Sequence, residues 1–422
     1  MHRSAEVLTG YGNVVWSVAA EGLEPELAPV DLVVVAVTMA SPPAALRAFL
    51  AERKDCVVLV WAHHAFPRLP EPFTHQSITV RGATVGASMV AASLSQAGIR
   101  HDVVLGDAAS PQVHDALRCA AAAASIRGCR ILVVGEPLDG YDFVMPPEGE
   151  ISRLGMTLVT RTPEDIASDA EHVSERELAA LRAELGVSLR EATTAEGEES
   201  ALRYAHALRC AVDSSEARAG TLNCHVPSLR TGARGGGVAP CFALGRETSR
   251  GCPFTCTGDL NTSLAMLLVT ALGHPTMYHE MEAIDETTND VVLANSGEHD
   301  NRFAPLSAAR VVANPWFPGA NPTPIVRFQV APGPASVVAV AVLGGRLTVV
   351  VARGEFTDRP TEDVGTMSAS FRFAGSPAAS GWRDWVRAGA GHHACATNAD
   401  VTRDLAEVCR HLDLDLITIG EG

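Results

Sequence analysis

Short β-branched runs near the start of the chain, Val30–Val37, Cys56–Trp61 and His101–Leu105, alternate with helical stretches at Pro42–Arg53 and Gly82–Ala97. Strands separated by helices need crossover connections, so this alternation predicts a parallel sheet with helices on both faces. The rhythm resumes near Arg130, where Ile131–Val134 reads as a strand running into the turn-rich segment Gly135 to Gly140. Thr162 before Pro163, Glu164 and Asp165 is a helix start: a capping hydroxyl, a proline in the first turn and acids at the positive end of the dipole. Ser174 and Glu177 form a capping-box pattern, Gly186 ends that helix, and Glu198–Val212 is a further amphipathic helix.

From about Pro275 the texture changes. Strand candidates at Val291–Leu293, Pro324–Val330, Ser336–Leu343, Arg346–Val351 and Ser368–Phe373 are separated by turns rich in Gly and Pro, which predicts a β-rich domain. A helix at Asp400–Leu412 and a strand at Asp415–Ile419 follow. With 422 residues the chain is too long for one ordinary domain. The divisions read from these changes are 1–129, 130–274 and 275–422.

The formal net charge of -16 disfavours nonspecific attraction to nucleic acid or to an anionic membrane. A small neutral or polar ligand in a local pocket fits better. The first residues lack the basic segment, apolar stretch and cleavage site of a secretory signal, and no apolar run is long enough to span a bilayer. Ten cysteines lie scattered without a repeating framework, as expected for reduced, buried thiols in a cytoplasmic protein.

The motifs with chemical content lie in the second half: C-T-G-D at Cys256–Asp259, Y-H-E at Tyr278–Glu280, L-A-N-S-G at Leu293–Gly297 and G-H-H at Gly391–His393. Each is short, and each has a bland reading. Glu280 sits in an acidic stretch with Glu282, Asp285 and Glu286, a histidine pair on a loop is often polar surface, and Glu298-His-Asp300 reads equally as a solvated turn. Asp259, before an apolar helical segment, is a natural N-cap. Cys224, His225, Cys241, Cys252 and Cys256 invite a zinc reading, although the spacing lacks a second matched Cys pair and buried small hydrophobes are the default. Cys256 beside Thr257 also suggests a nucleophile or proton donor.

Taken in order, the four motifs and their flanking text resemble the C-terminal half of the L-fucose and L-arabinose isomerases. The resemblance is clearest from about Gly232 to Gly420. It implies two Rossmann-like α/β domains followed by a β-rich, barrel-like C-terminal domain, assembled as a trimer or hexamer with sites near subunit interfaces. It also implies a sugar-like substrate and a divalent metal, Mn²⁺ by expectation, with Glu280 as metal ligand and acid/base and His393 as a second ligand. Asn295, Ser296 and His392 then contact substrate. Trp61-Ala-His-His64 ends a strand candidate, and related isomerases present N-terminal polar residues to a neighbouring subunit's site, which makes His63 a substrate contact.

One departure stands out. The family motif matching C-T-G-D carries a glutamate that is both ligand and acid/base, and here that position is Thr257, which is left with a substrate-binding role. A threonine hydroxyl is neither a carboxylate base nor a strong metal ligand. Asp259 is the nearest substitute as catalytic group, and Glu247 and Glu298 are others, Glu298 also as a substrate contact. The expectation is therefore an aldose–ketose isomerase-like enzyme working through an enediol. The alternatives are a same-fold enzyme turned to a metal-independent lyase, epimerase or tailoring reaction, or a non-catalytic sugar-binding protein.

Overall fold

The first strand candidates pair in parallel. In the computed structural model β1 (Leu32–Val37), β2 (Val57–His63) and β3 (Asp102–Gly106) form a sheet in the order β1-β2-β3. The structure describes residues 8–11, 30–53, 55–64, 68–79, 81–186, 188–190, 192–227, 229, 239–295, 297–304, 308–314, 323–359 and 365–420. Two units emerge, Met1–Gly128 with Asp404–Asp413, and Cys129–Arg403 with Leu414–Gly422. In the first, Val58, Val60 and Ala62 of β2 pack with Phe49 and Leu50 of one helix and Ala87, Val90 and Leu94 of another. Alternate β2 residues face the other way, and fully buried Trp61 donates its indole N–H to the Gly106 carbonyl at 2.9 Å.

The second unit begins with another parallel sheet, β4 (Arg130–Val134), β5 (Thr157–Arg161), β6 (Ala217–Leu222) and β7 (Phe254–Thr255), in the order β5-β4-β6-β7. The capping signals act as read: Thr162 with Asp165, and Ser174 with Glu177, make reciprocal capping boxes. Gly186 closes its helix in the left-handed conformation at φ 65°. The helix Leu260–Ala271 is buried along nearly all its length, its polar first turn of Asn261, Thr262 and Ser263 included, so it serves as an internal strut.

A barrel follows. Its strands are β8 (Met277–Asp285), β9 (Asp290–Asn295), β12 (Gly333–Leu343), β13 (Arg346–Phe356), β14 (Met367–Phe373) and β15 (His393–Thr397), with β10 (Arg310–Ala313) and β11 (Pro324–Arg327) forming a separate hairpin. The order β12-β15-β8-β9-β14-β13 is closed by pairing of β12 with β13, and β16 (Asp415–Ile419) joins β13 in parallel. The expected α/β architecture with a barrel-like C-terminal part is thus present. β5, β6, β7, β8, β10 and β15 carry no strand reading in the sequence, and the Gly-His-His segment, read as a loop, enters β15 at its second histidine. No helix among the described residues is long and apolar enough to cross a membrane.

Two barrel histidines are buried without charge. His299 is buried with neither ring nitrogen partnered, and His279 Nε2 is likewise unpartnered. Burial pushes His279 down to about 4 and His299 to about 3, from an ordinary 6.5. The unfolded chain therefore binds more protons below pH 6.5, so stability falls as pH falls, and the loss levels off only below about 3. Urea melts should show a loss of about 1 kcal/mol per pH unit for each histidine below pH 6. His299→Phe should flatten that slope.

Candidate active site

The carboxyl ends of a parallel sheet are where α/β folds gather polar groups, because loops and helix N-termini converge there. The turns after β4, β6 and β7 do so here. The Leu138 N–H donates to the Thr257 carbonyl at 3.1 Å, the Gly258 N–H donates to the Leu222 carbonyl at 3.3 Å, and Asn223 Nδ2 donates to the Glu136 carbonyl at 2.9 Å. Gly258 is obligatory at φ 78°, since a Cβ would stand 2.5 Å from Pro137 Cα. Thr257 also lies in the left-handed region at φ 59°, where a β-branched residue is strained by about 1–3 kcal/mol. Its hydroxyl is turned back to donate to the Cys256 carbonyl at 2.7 Å.

This turn delivers Asp259 to the N-cap of the Leu260–Ala271 helix, where it accepts from the Thr262 N–H at 2.8 Å and the Thr262 hydroxyl at 2.9 Å. The same carboxylate reaches His393 Nδ1 at 2.8 Å. His393 and Glu280 are directly opposed in the antiparallel pair β15–β8, so their side chains leave the same face, and His393 Nε2 stands 3.2 Å from Glu280 Oε1. His392 Nε2 lies 3.9 Å from the same oxygen. The His392 ring is bracketed by Tyr141 edge-on at 5.3 Å and by Phe143 at 6.0 Å, and Tyr278 lies 4.9 Å from His393, centroid to centroid.

The electrostatics follow from this chain of contacts. Burial opposes charge on His393, but its hydrogen bonds to Asp259 and Glu280 outweigh that and hold the imidazole at about 9. Burial also opposes charge on Glu280, yet the His393 contact holds its carboxyl below the ordinary value. Glu282, partly buried beside Glu280, is pushed up. His392 is pushed down, by burial and then by charge on His393.

Glu280, His392 and His393 present ligand atoms that all lie within 4.8 Å of one another, and they are the metal-ligand grouping among the described residues. The donor chemistry fits a divalent first-row ion: two imidazoles and one carboxylate leave coordination positions for substrate oxygens. Asp259 on Nδ1 leaves Nε2 as the coordinating nitrogen, the usual carboxylate–histidine support of a metal ligand. Among the described residues the cysteines form no such grouping.

The other sequence candidates fall elsewhere. The register sets Ala294, not Asn295, across from Glu280, and the Asn295 carbonyl accepts from the Thr366 hydroxyl. Ser296 lies outside the described residues. Glu298 is fully buried rather than part of a solvated turn, as are Asp300 and, nearly so, His299. His63 ends β2 in the first unit with its ring 5.3 Å from Trp61. Tyr141 and Phe143 were not singled out by sequence; the available signal was an aromatic pair just after the turn that ends β4.

Residues 277–415 match the L-arabinose isomerase C-terminal domain. This stretch is sugar-isomerase-like. The matched segment holds Glu280, His392 and His393 and bears out the resemblance to that superfamily, while Asp259 and Thr257 lie before it. No curated protein matches the chain.

Asp259→Asn keeps the N-cap while removing the charge. In the metal-free protein, NMR titration should show His393 falling by about one unit or more.

Proposed function

We propose that the protein interconverts an aldose and a ketose, free or modified, by metal-assisted proton transfer through an enediol. The observation that carries this reading is the Asp259–His393–Glu280 array with His392 beside it, in a segment similar to an isomerase domain. Glu280, His392 and His393 would hold a divalent ion such as Mn²⁺, which supplies polarisation of neighbouring carbonyl and hydroxyl oxygens. Asp259 fixes the tautomer and orientation of His393. Glu280, half-exposed and held ionised, faces the substrate side and is suited to accept a proton. Tyr141, edge-on to His392, and Phe143, tilted against it, form an apolar wall that suits a sugar's carbon face. A homo-oligomer in which His63 of a neighbouring copy completes the site belongs to the same proposal, as does a cytoplasmic setting.

Elemental analysis of purified variants tests the ligand set. Glu280→Gln and His393→Gln should each lose bound Mn²⁺ and turnover on a panel of aldoses and ketoses, and unchanged stoichiometry in folded protein removes that residue from the set. Asp259→Asn should weaken Mn²⁺ binding by roughly 10- to 100-fold. A metal ion requires neutral His393, so apparent affinity should rise with pH by about tenfold per unit until about 9, read by calorimetry in a non-chelating buffer.

A further inference from the structure

A hydrogen bond orients His393, but His392 has no such support. Among the described residues neither ring nitrogen of His392 makes a hydrogen bond, and its polar contact is Glu280 Oε1 at 3.9 Å. The side chain is 37 % exposed, so burial does not fix the ring either. What surrounds it is aromatic. Tyr141 meets it edge-on at 5.3 Å, Phe143 lies tilted against it at 6.0 Å, and the His393 ring is 3.7 Å away, centroid to centroid.

The core does not hold these aromatics, since Phe143 is 55 % exposed and Tyr141 is partly so. The segment carrying them is tied down by its backbone instead. Asn223 Nδ2 donates to the Glu136 carbonyl and the Leu138 N–H donates to the Thr257 carbonyl, which secures its start. At its far end Asn261 Nδ2 donates to the Phe143 carbonyl at 3.0 Å. Asn261 lies in the first turn of the Leu260–Ala271 helix, where an asparagine ordinarily bonds to its own helix. Here the amide reaches a residue 118 positions away, and its Oδ1, though buried, has no partner. A buried, half-satisfied amide costs stability, and the helix gains nothing from it because Asp259 already caps it.

We propose that Asn261 is a positioning residue of the metal site: by holding the Phe143 carbonyl it keeps Tyr141 and Phe143 against His392 and so fixes that ring as a ligand. This rests on the metal-assisted reading above.

One helix end then serves both imidazoles. Asp259 orients His393 through a hydrogen bond, and Asn261, two residues on, orients His392 through the aromatic pair. Ligands held in place before an ion arrives lose less freedom on binding it. Without this brace a half-exposed imidazole would sample rotamers that turn Nε2 away from Glu280.

The test uses the whole chain, with Mn²⁺ as the probe. In the metal-free state NMR reads the ring protons of His392 and His393, which neighbouring aromatic rings displace from their free positions. Asn261→Leu, close in volume, removes the donor and the unpartnered oxygen together. It should move the His392 signals towards their free positions and leave those of His393 in place. Calorimetry should show Mn²⁺ binding weakened by about tenfold, with thermal unfolding little changed. Asn261→Ser, too short to reach Phe143 yet well suited to a first helical turn, should do the same. Tyr141→Leu should shift His392 in the same direction. Unchanged His392 signals or unchanged Mn²⁺ affinity in both folded Asn261 variants overturns the assignment and leaves the metal-assisted reading standing. So does movement of His392 and His393 together, the mark of general loosening. Wild type that binds no Mn²⁺ overturns both.

Discussion

The buried hydrogen-bonded array Asp259–His393–Glu280 is the interaction on which the site depends. An imidazole this enclosed loses hydration, and two carboxylates restore what burial removes. Each partner comes from a different element: the N-cap of an internal helix, the entry of β15 and the middle of β8. Asp259 is thereby tied to two duties, since the oxygen that reaches His393 also accepts from the Thr262 hydroxyl while its partner oxygen caps the helix. The helix start and the histidine orientation cannot vary independently.

Much of the fold was legible where local physics decides it. The β-branched runs became β1, β2, β4, β12 and β13, and Thr162, Ser174 and Asp259 cap their helices as their side chains allow. β8 and β15 were harder. Tyr278-His-Glu280 and Gly391-His-His393 are polar and short, and their strand state comes from pairing with each other and with neighbours distant in sequence. The convergence of Glu280 and His393 was anticipated from motif order rather than from periodicity. The edge-on approach of Tyr141 to His392 was signalled only by an aromatic pair after β4, and the complete burial of Glu298, in a stretch whose composition suits solvent, had no local signal.

The departure at Thr257 takes on a different meaning in three dimensions. The Thr257 hydroxyl is tied back to the Cys256 carbonyl and the Thr257 carbonyl accepts from the Leu138 N–H, so the residue shapes the turn that leads into Asp259. What reads in one dimension as a missing group is, in the fold, part of the turn that sets the Asp259 carboxylate against His393. The cost is carried by the backbone, where Thr257 and Gly258 in succession adopt the left-handed conformation.

Closure of the barrel has a consequence for how such a site changes over time. Both edges of β8 are bonded, to β15 and β9, and both edges of β15, to β12 and β8, so neither strand can fray or slide without opening the ring. The scaffold beneath Glu280 and His393 is therefore inherited as a fixed bench. Loops such as 135–143 and 256–258 are free to exchange one reagent for another above it, and lineages sharing the bench can diverge in chemistry without refolding.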